Sequence, residues 1–252
     1  MPGKVIGIGV ERDPERVFKS ISRYPDSDSI ICYTDPCTSQ AYQFSWKTVI
    51  DENPGRRLIS DLIKNKLDAA VRGSLPAHET LSELKKACGI SELQRIVLLE
   101  SSTSIQFFLA PVGIDEGWTI SQKMSFIQSG QKIATAFGLS SNVGIISGGR
   151  LGDIGRHPQV DKTLGDAELL SKISGAKHYE ILIEDAIQEC GLIIAPDGIS
   201  GNLIFRTLIF LGNGAAHGAP VVNIRPIFVD TSRVNPDYSN ALILASRMIR
   251  YE

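Results

Sequence analysis

The chain has 252 residues, 42% hydrophobic and 21% charged, a composition that excludes a disordered, collagen-like or coiled-coil protein. Lys and Arg number 26 against 28 Asp and Glu, and the resulting net charge of -2 argues against a general nucleic-acid binder. No apolar run reaches the ~18–20 residues of a membrane helix. The opening MPGKVIGIGV is too short and wrongly flanked for a signal peptide, so the sequence predicts a cytoplasmic protein. Cys32, Cys37, Cys88 and Cys190 form no CxxC pair and read as reduced thiols. The four His share no ligand spacing, and no metal site is expected.

Short apolar runs alternate with amphipathic segments. Residues 5–10 predict a strand, and Pro14 opens a helix. Residues 30–33 predict a second strand. Leu58, Ile59, Leu62 and Ile63 give 55–66 a helical stripe. A strand over 69–72 and a helix over 78–88 follow, then strands over 96–99 and 107–110. The longest helical pattern covers 119–137. After it come a strand over 143–146, helices near 161–174 and 179–189, and a strand over 192–195. A nearly all-apolar helix spans 202–211, strands cover 221–224 and 227–229, and a helix over 236–250 ends the chain. Such alternation predicts a layered α/β protein with mostly parallel sheets. Continuous apolar strands fit a sheet covered by helices on both faces.

In open α/β sheets, ligands collect beyond the carboxyl ends of the strands. Four such ends carry polar or small residues. Arg72-Gly73-Ser74 follows the 69–72 strand, and Asp230-Thr231-Ser232-Arg233 follows the 227–229 strand. Residues 147–156 hold four Gly and two Arg, with Ser147, Gly148 and Arg150 at the start. Backbone N–H groups and Arg in such a loop suit an anion, while the plainer reading is a loop that needs positive φ. No Gly-Lys-Ser/Thr follows, so it is not a Walker loop. Asp197, Ser200, Gly201 and Asn202 surround a helix start, which suits either an anion or simple capping.

In this order, these pieces resemble the phosphate acetyltransferase/phosphate butyryltransferase superfamily. The resemblance rests on Asp68–Gly73, Phe107–Asp115 with the helix after it, Val143–Ser147, Ala195–Ile204, and Pro220 through Arg233. Within it the chain is similar to the methanogen clade called methanogenesis marker protein 4, also labelled methyltransferase subunit X. The resemblance implies a two-lobed isocitrate/isopropylmalate dehydrogenase-like fold with an interlobe cleft. One lobe would hold residues 1–117 with 222–252, the other 118–221. It implies catalytic roles for Ser232 and Arg233, with Asp237 the nearest carboxylate to serve as base. It further implies that Asp197, Ser200, Gly201 and Asn202 line the ligand cleft, and the strand-end residues Arg72, Gly73, Ser147, Gly148 and Arg150 are expected to bind ligand from their position alone. Coenzyme A is the implied cofactor, and a homodimer the implied assembly.

The sequence departs from the acyltransferases after Arg233, where Val234-Asn235-Pro236-Asp237 replaces the usual glycine and spaced acid. It shows neither a glycine-rich S-adenosylmethionine loop nor an Asp-x-His-x-x-Gly cobalamin motif. Two functions therefore compete: a transferase acting on a small anionic, phosphate- or thioester-bearing molecule, and a non-catalytic accessory subunit with a methyltransferase partner. A metal-dependent decarboxylating dehydrogenase on the same fold ranks below both, because no paired Asp ligands share a helix.

Overall fold

The computed structural model describes residues 4–232 and 237–250. In chain order the elements are β1 (Ile6–Gly9), α1 (Pro14–Arg23), β2 (Ile30–Thr34), α2 (Pro36–Ala41), β3 (Lys47–Ile50), α3 (Pro54–Ile63), β4 (Ala69–Val71) and α4 (Ala77–Cys88). Then come β5 (Val97–Glu100), β6 (Gln106–Ala110), α5 (Ile120–Ala136), β7 (Val143–Ile145), α6 (Pro158–Ser174), β8 (Lys177–His178), α7 (Ile183–Glu189), β9 (Leu192–Ile194), α8 (Gly198–Phe210) and β10 (Ala215–Ala216). The last three are β11 (Ala219–Pro220), β12 (Ile227–Asp230) and α9 (Ser239–Met248).

The chain divides into two units, residues 1–93 with 217–252, and residues 94–216. In the first, the sheet order is β11-β12-β4-β1-β2-β3, parallel except for β11. Strand order reverses between β1 and β4, the kind of place where α/β sheets bind ligands. Helix starts are set locally: Pro at the first turn opens α1, α2 and α3, and the Asp35 and Asn53 side chains accept from backbone N–H groups of Thr38 and Arg56. The core gathers Tyr33, Leu58, Ile59, Leu62, Leu84 and Phe228.

The second unit holds a sheet ordered β10-β5-β6-β9-β7-β8. β6, β9, β7 and β8 are parallel, and β5 alone runs against them, pairing antiparallel with β6 on one side and with β10 on the other. Residues 94–117, read from the sequence with the first lobe, join this sheet, because the β5–β6 hairpin pairs with β9. Thr119 and Gln122 form a reciprocal cap that starts α5. Among the described residues, no helix is long and apolar enough to cross a membrane.

Several boundaries differ from the sequence reading. α8 starts four residues earlier than expected, because Asp197 caps it through the Ser200 N–H at 2.7 Å. The expected 221–224 strand is one bridging residue followed by a turn. The first four residues of the expected 179–189 helix are not helical, and α7 starts only at Ile183. The short elements α2, β3 and β8 have no counterpart in the sequence reading.

Candidate functional site

In the first unit, the carboxyl ends of β4 and β12 lie side by side. Arg72 is buried there, with its Nε donating to Asp230 Oδ1 and its Nη1 to the Leu75 carbonyl at 2.6 Å. A guanidinium so neutralised has little charge left for a ligand. Gly73 has φ +60°, and a Cβ there would overlap the Gly9 carbonyl oxygen, so glycine is required by the turn and by packing on β1. The Gly73 carbonyl accepts from Thr231 Oγ1 at 2.8 Å. Ser232, half-buried, follows Thr231, and Arg233 lies outside the described residues.

Asp237 sits at the start of α9. It accepts from Arg23 Nη1 at 2.7 Å and from the Ser239 N–H at 2.7 Å. Burial pushes its carboxyl up, but hydrogen bonds from Ser239, Arg23 and Ser20 outweigh burial and hold it below the usual range. Such a carboxylate is a weak general base.

A cavity of about 420 Å³ opens at the ends of β1, β2 and β3. Its lining includes Glu11, Asp35, Glu52 and Glu79 and no Lys or Arg. Burial, then Asp35 and Glu79, push the Glu11 carboxyl up, against Arg12. This edge repels anions. Another cavity, of about 560 Å³, lies at the opposite, amino ends of β4 and β12, near Leu67 and Ile227.

The second unit brings two predicted groups to neighbouring strand ends, since β7 pairs with β9. After β9, Asp197 caps α8, and Asn202 Nδ2 donates to the Val112 carbonyl at 3.0 Å. A Cβ at Gly201 would overlap the Pro111 carbonyl oxygen, and one at Gly198 the Gly113 carbonyl oxygen. Both glycines thus let α8 start against the loop that follows β6. That loop is held by the buried Glu116, which accepts from Arg95 Nε at 2.6 Å and from the Arg95 N–H at 3.0 Å. Burial raises the Glu116 carboxyl, with Arg95 opposing.

After β7, the glycine-rich loop satisfies most of its own amides. Gly148 N–H donates to Thr163 Oγ1 at 2.9 Å, Arg150 N–H to Asp153 at 2.9 Å, Leu151 N–H to Glu180 at 3.2 Å, and Gly155 N–H to Asp161 at 2.8 Å. Three carboxylates therefore stand where an anion would be cradled. Arg156 pairs with Asp153 at 2.6 Å. The Arg150 N–H and the Arg156 guanidinium hold the Asp153 carboxyl below its usual value. Among the described residues the exposed Arg150 side chain makes no ion pair at contact distance, though its charge also helps to hold the Asp153 carboxyl down.

Sequence reasoning missed several polar groups at this end. Lys123, 3% exposed on α5, reaches Asp166 of α6 at 3.2 Å. Burial pulls its ammonium down, and Asp166 pulls it back up. Ser147 is buried and hydrogen-bonded to His178, which in turn meets Glu168. A lysine at one position of a helical stripe and a histidine in a two-residue strand carry no local signature of partnership. The cause is long-range pairing.

No protein-family model matches the chain. A Methanosarcina mazei protein named "Putative methyltransferase mtx subunit X" is 50% identical over 206 residues, covering 79% of this chain and 74% of the relative. The chain belongs to the mtx subunit X family. An uncharacterized methyltransferase of Methanopyrus kandleri is 32% identical over 96% of this chain and 98% of its own length. In structure, this mtx subunit X homologue is similar to a branched-chain phosphotransacylase from Enterococcus faecalis, with a TM-score of 0.74 over 98% of this chain and all of the other, at 14% identity. A phosphotransacetylase from Streptococcus pyogenes gives 0.73 over 100% and 96%, also at 14% identity. A β-decarboxylating dehydrogenase from Thermococcus kodakarensis gives 0.52 over 98% and 84%, at 9% identity. The fold is thus the two-sheet, mostly parallel α/β fold of phosphotransacylases and decarboxylating dehydrogenases.

Proposed function

We propose that this mtx subunit X homologue is a cytoplasmic transferase that binds a small phosphate- or thioester-bearing molecule. The observation that carries this reading is the phosphotransacylase-like fold, matched over 98% of the chain. Within the second unit, the exposed Arg150 guanidinium at the carboxyl end of β7 is a further anion contact in this reading, in competition with the nearby Asp153 carboxylate. In this reading Arg233 holds the anion, and Ser232 hydrogen-bonds the group being transferred. Charge that develops on the transferred group is stabilised by the guanidinium. Coenzyme A is the proposed thiol partner. Asp197, Gly201 and Asn202 act indirectly, by fixing where α8 starts.

Transfer of acetyl or butyryl groups between acyl phosphate and coenzyme A tests the proposal. Turnover is expected to be slow, since a missing general base costs about 10²–10⁴ in rate. R233A should lower it at least about tenfold, the loss of one charge-assisted contact. Equal rates in wild type and R233A would remove the site assignment.

A second reading is a non-catalytic subunit of a methyl-transfer system. The state of the unit-one residues favours it: Arg72 is neutralised by Asp230, and Asp237 is held as a weak base. The relatives' designation as a subunit points the same way. Under this reading, affinity purification from a methanogen recovers methyltransferase subunits in fixed ratio, and no acyl exchange is seen.

For its assembly we propose a homodimer. α8 carries seven large apolar residues among its thirteen, yet Ile199, Leu203 and Phe210 are 48%, 60% and 41% exposed, and Leu211 beyond its end is 81% exposed. Large apolar side chains exposed together in this way, even with Arg206 and Thr207 among them, fit an interaction surface.

A further inference from the structure

Three side chains of the second unit form a hydrogen-bonded chain that neither functional reading uses. Ser147 starts the loop after β7, His178 ends β8, and Glu168 lies on α6. Parallel pairing sets Ile145 opposite His178 and so brings the imidazole near the loop. Glu168 Oε1 is 2.7 Å from His178 Nδ1, and His178 Nε2 is 2.9 Å from Ser147 Oγ. Ser147 Oγ is in turn 2.9 Å from the Gly149 carbonyl oxygen. Ser147 is 1% exposed and the His178 side chain 5%, so water is kept from the Ser147–His178 contact, while the Glu168 side chain, 43% exposed, opens the other end of the chain to solvent.

The protons can be counted. A carbonyl oxygen only accepts, so the Ser147 hydroxyl gives its single proton to Gly149. Its oxygen then accepts from Nε2–H. Another proton lies between Nδ1 and Glu168. Three bonds need three protons, whereas a serine, a neutral imidazole and an ionised carboxylate supply two. The third belongs to the His178–Glu168 pair as a unit. Loss of it breaks one bond. If Nδ1–H stays on Glu168, Nε2 becomes an acceptor, the Ser147 hydroxyl turns to it, and the Gly149 carbonyl is released.

We propose that Glu168, His178 and Ser147 form a proton-binding site that fastens the 147–149 turn, with His178 as a positioning residue. The charged groups around it come from each packed element. α6 brings Glu168, and β7 brings none. Beside His178 in its own segment are Lys177, Tyr179 and Glu180, and α7 brings Asp185 and Glu189, which share a cavity with the ring. Lys177 and Tyr179 are tied to Glu189 at 2.9 and 2.6 Å, and Glu180 holds the Leu151 N–H. Carboxylates therefore outnumber cations around the imidazole. This inference stands whether or not the loop binds an anion.

Amide hydrogen exchange of the 143–156 segment in the full chain, corrected for intrinsic rate, tests it between pH ~5 and ~9, the range histidine titrates. In wild type, protection should fall about three- to tenfold as pH rises, the range one net hydrogen bond represents. The amide of H178Q donates to Ser147 at every pH, so its protection should be high and flat. H178A should be unprotected and flat. Wild-type protection that ignores pH, or an H178Q profile that follows wild type, overturns the proposal.

Discussion

Arg72 and Asp230 are 158 positions apart in the chain, and the parallel pairing of β4 with β12 puts them together. Their side chains are 3% and 11% exposed. Desolvation makes such a pair a weak source of net stability, but removal of one partner strands the other charge. D230A should therefore destabilise the fold by roughly 3–5 kcal/mol, read from urea unfolding, while the apolar double variant R72M/D230L should stay within ~2 kcal/mol of wild type. Similar losses for both would mean that the pair itself stabilises. Asp237 gives a prediction in pH. Its carboxyl is held below its ordinary value, so in the folded chain it ionises at lower pH than the unfolded ~3.9. Its contribution is therefore present above that unfolded value and is lost as pH falls through the folded one. D237N should flatten the acid limb of the stability profile, measured as the urea midpoint from pH ~5 downward. An unchanged limb would show that Ser239, Arg23 and Ser20 do not favour the ionised form.

Element starts and strand ends explain both what the sequence revealed and what it hid. Runs such as Leu192–Ile194 and Val143–Ile145 are buried on both faces, so their apolar continuity is visible locally and gives the parallel α/β class. β3 lies at a sheet edge with exposed ends and two half-buried middle residues, so it lacks a strand's alternation, and β8 has two residues, too short for any pattern. The glycine loop and the α8 start were legible as polar strand ends. Their partners were not: Thr163, Asp161 and Glu180, which fill the loop amides, come from other elements. Nor was the role of Gly201 legible, because glycine for ligand approach and glycine for backbone packing look alike in a sequence. The overlap that a Cβ would make with the Pro111 carbonyl decides for packing. G201A should push α8 off the β6 loop and cost about 1–3 kcal/mol, the usual range for overpacking. A thermal melt measures the loss. An unchanged melting temperature would return Gly201 to the list of residues spared for a ligand.

For the whole molecule, the decisive feature is α8, whose only fully buried residues are Gly198 and Gly201. An apolar helix normally hides its large side chains, and here Leu203 is 60% exposed. Arg206 covers one ring only, lying 5.1 Å over Phe210, which leaves the aliphatic side chains to water. Burial of a leucine contributes about 1.5–3 kcal/mol, so two such helices meeting about a twofold axis gain several times that from Ile199, Leu203, Phe210 and Leu211 together. A twofold contact also places each of these residues twice in the interface, which makes a single charge doubly disruptive. L203E would set a carboxylate near its own copy, desolvated, and both effects oppose association. Sedimentation velocity should find wild type at twice the chain mass, 54.8 kDa from 2 × 27.4 kDa, and L203E at 27.4 kDa with an unaltered circular-dichroism spectrum. A wild type that sediments as a monomer would leave α8 to a different protein, and the accessory-subunit reading would gain. A dimer that survives L203E would move the contact to another face of the chain.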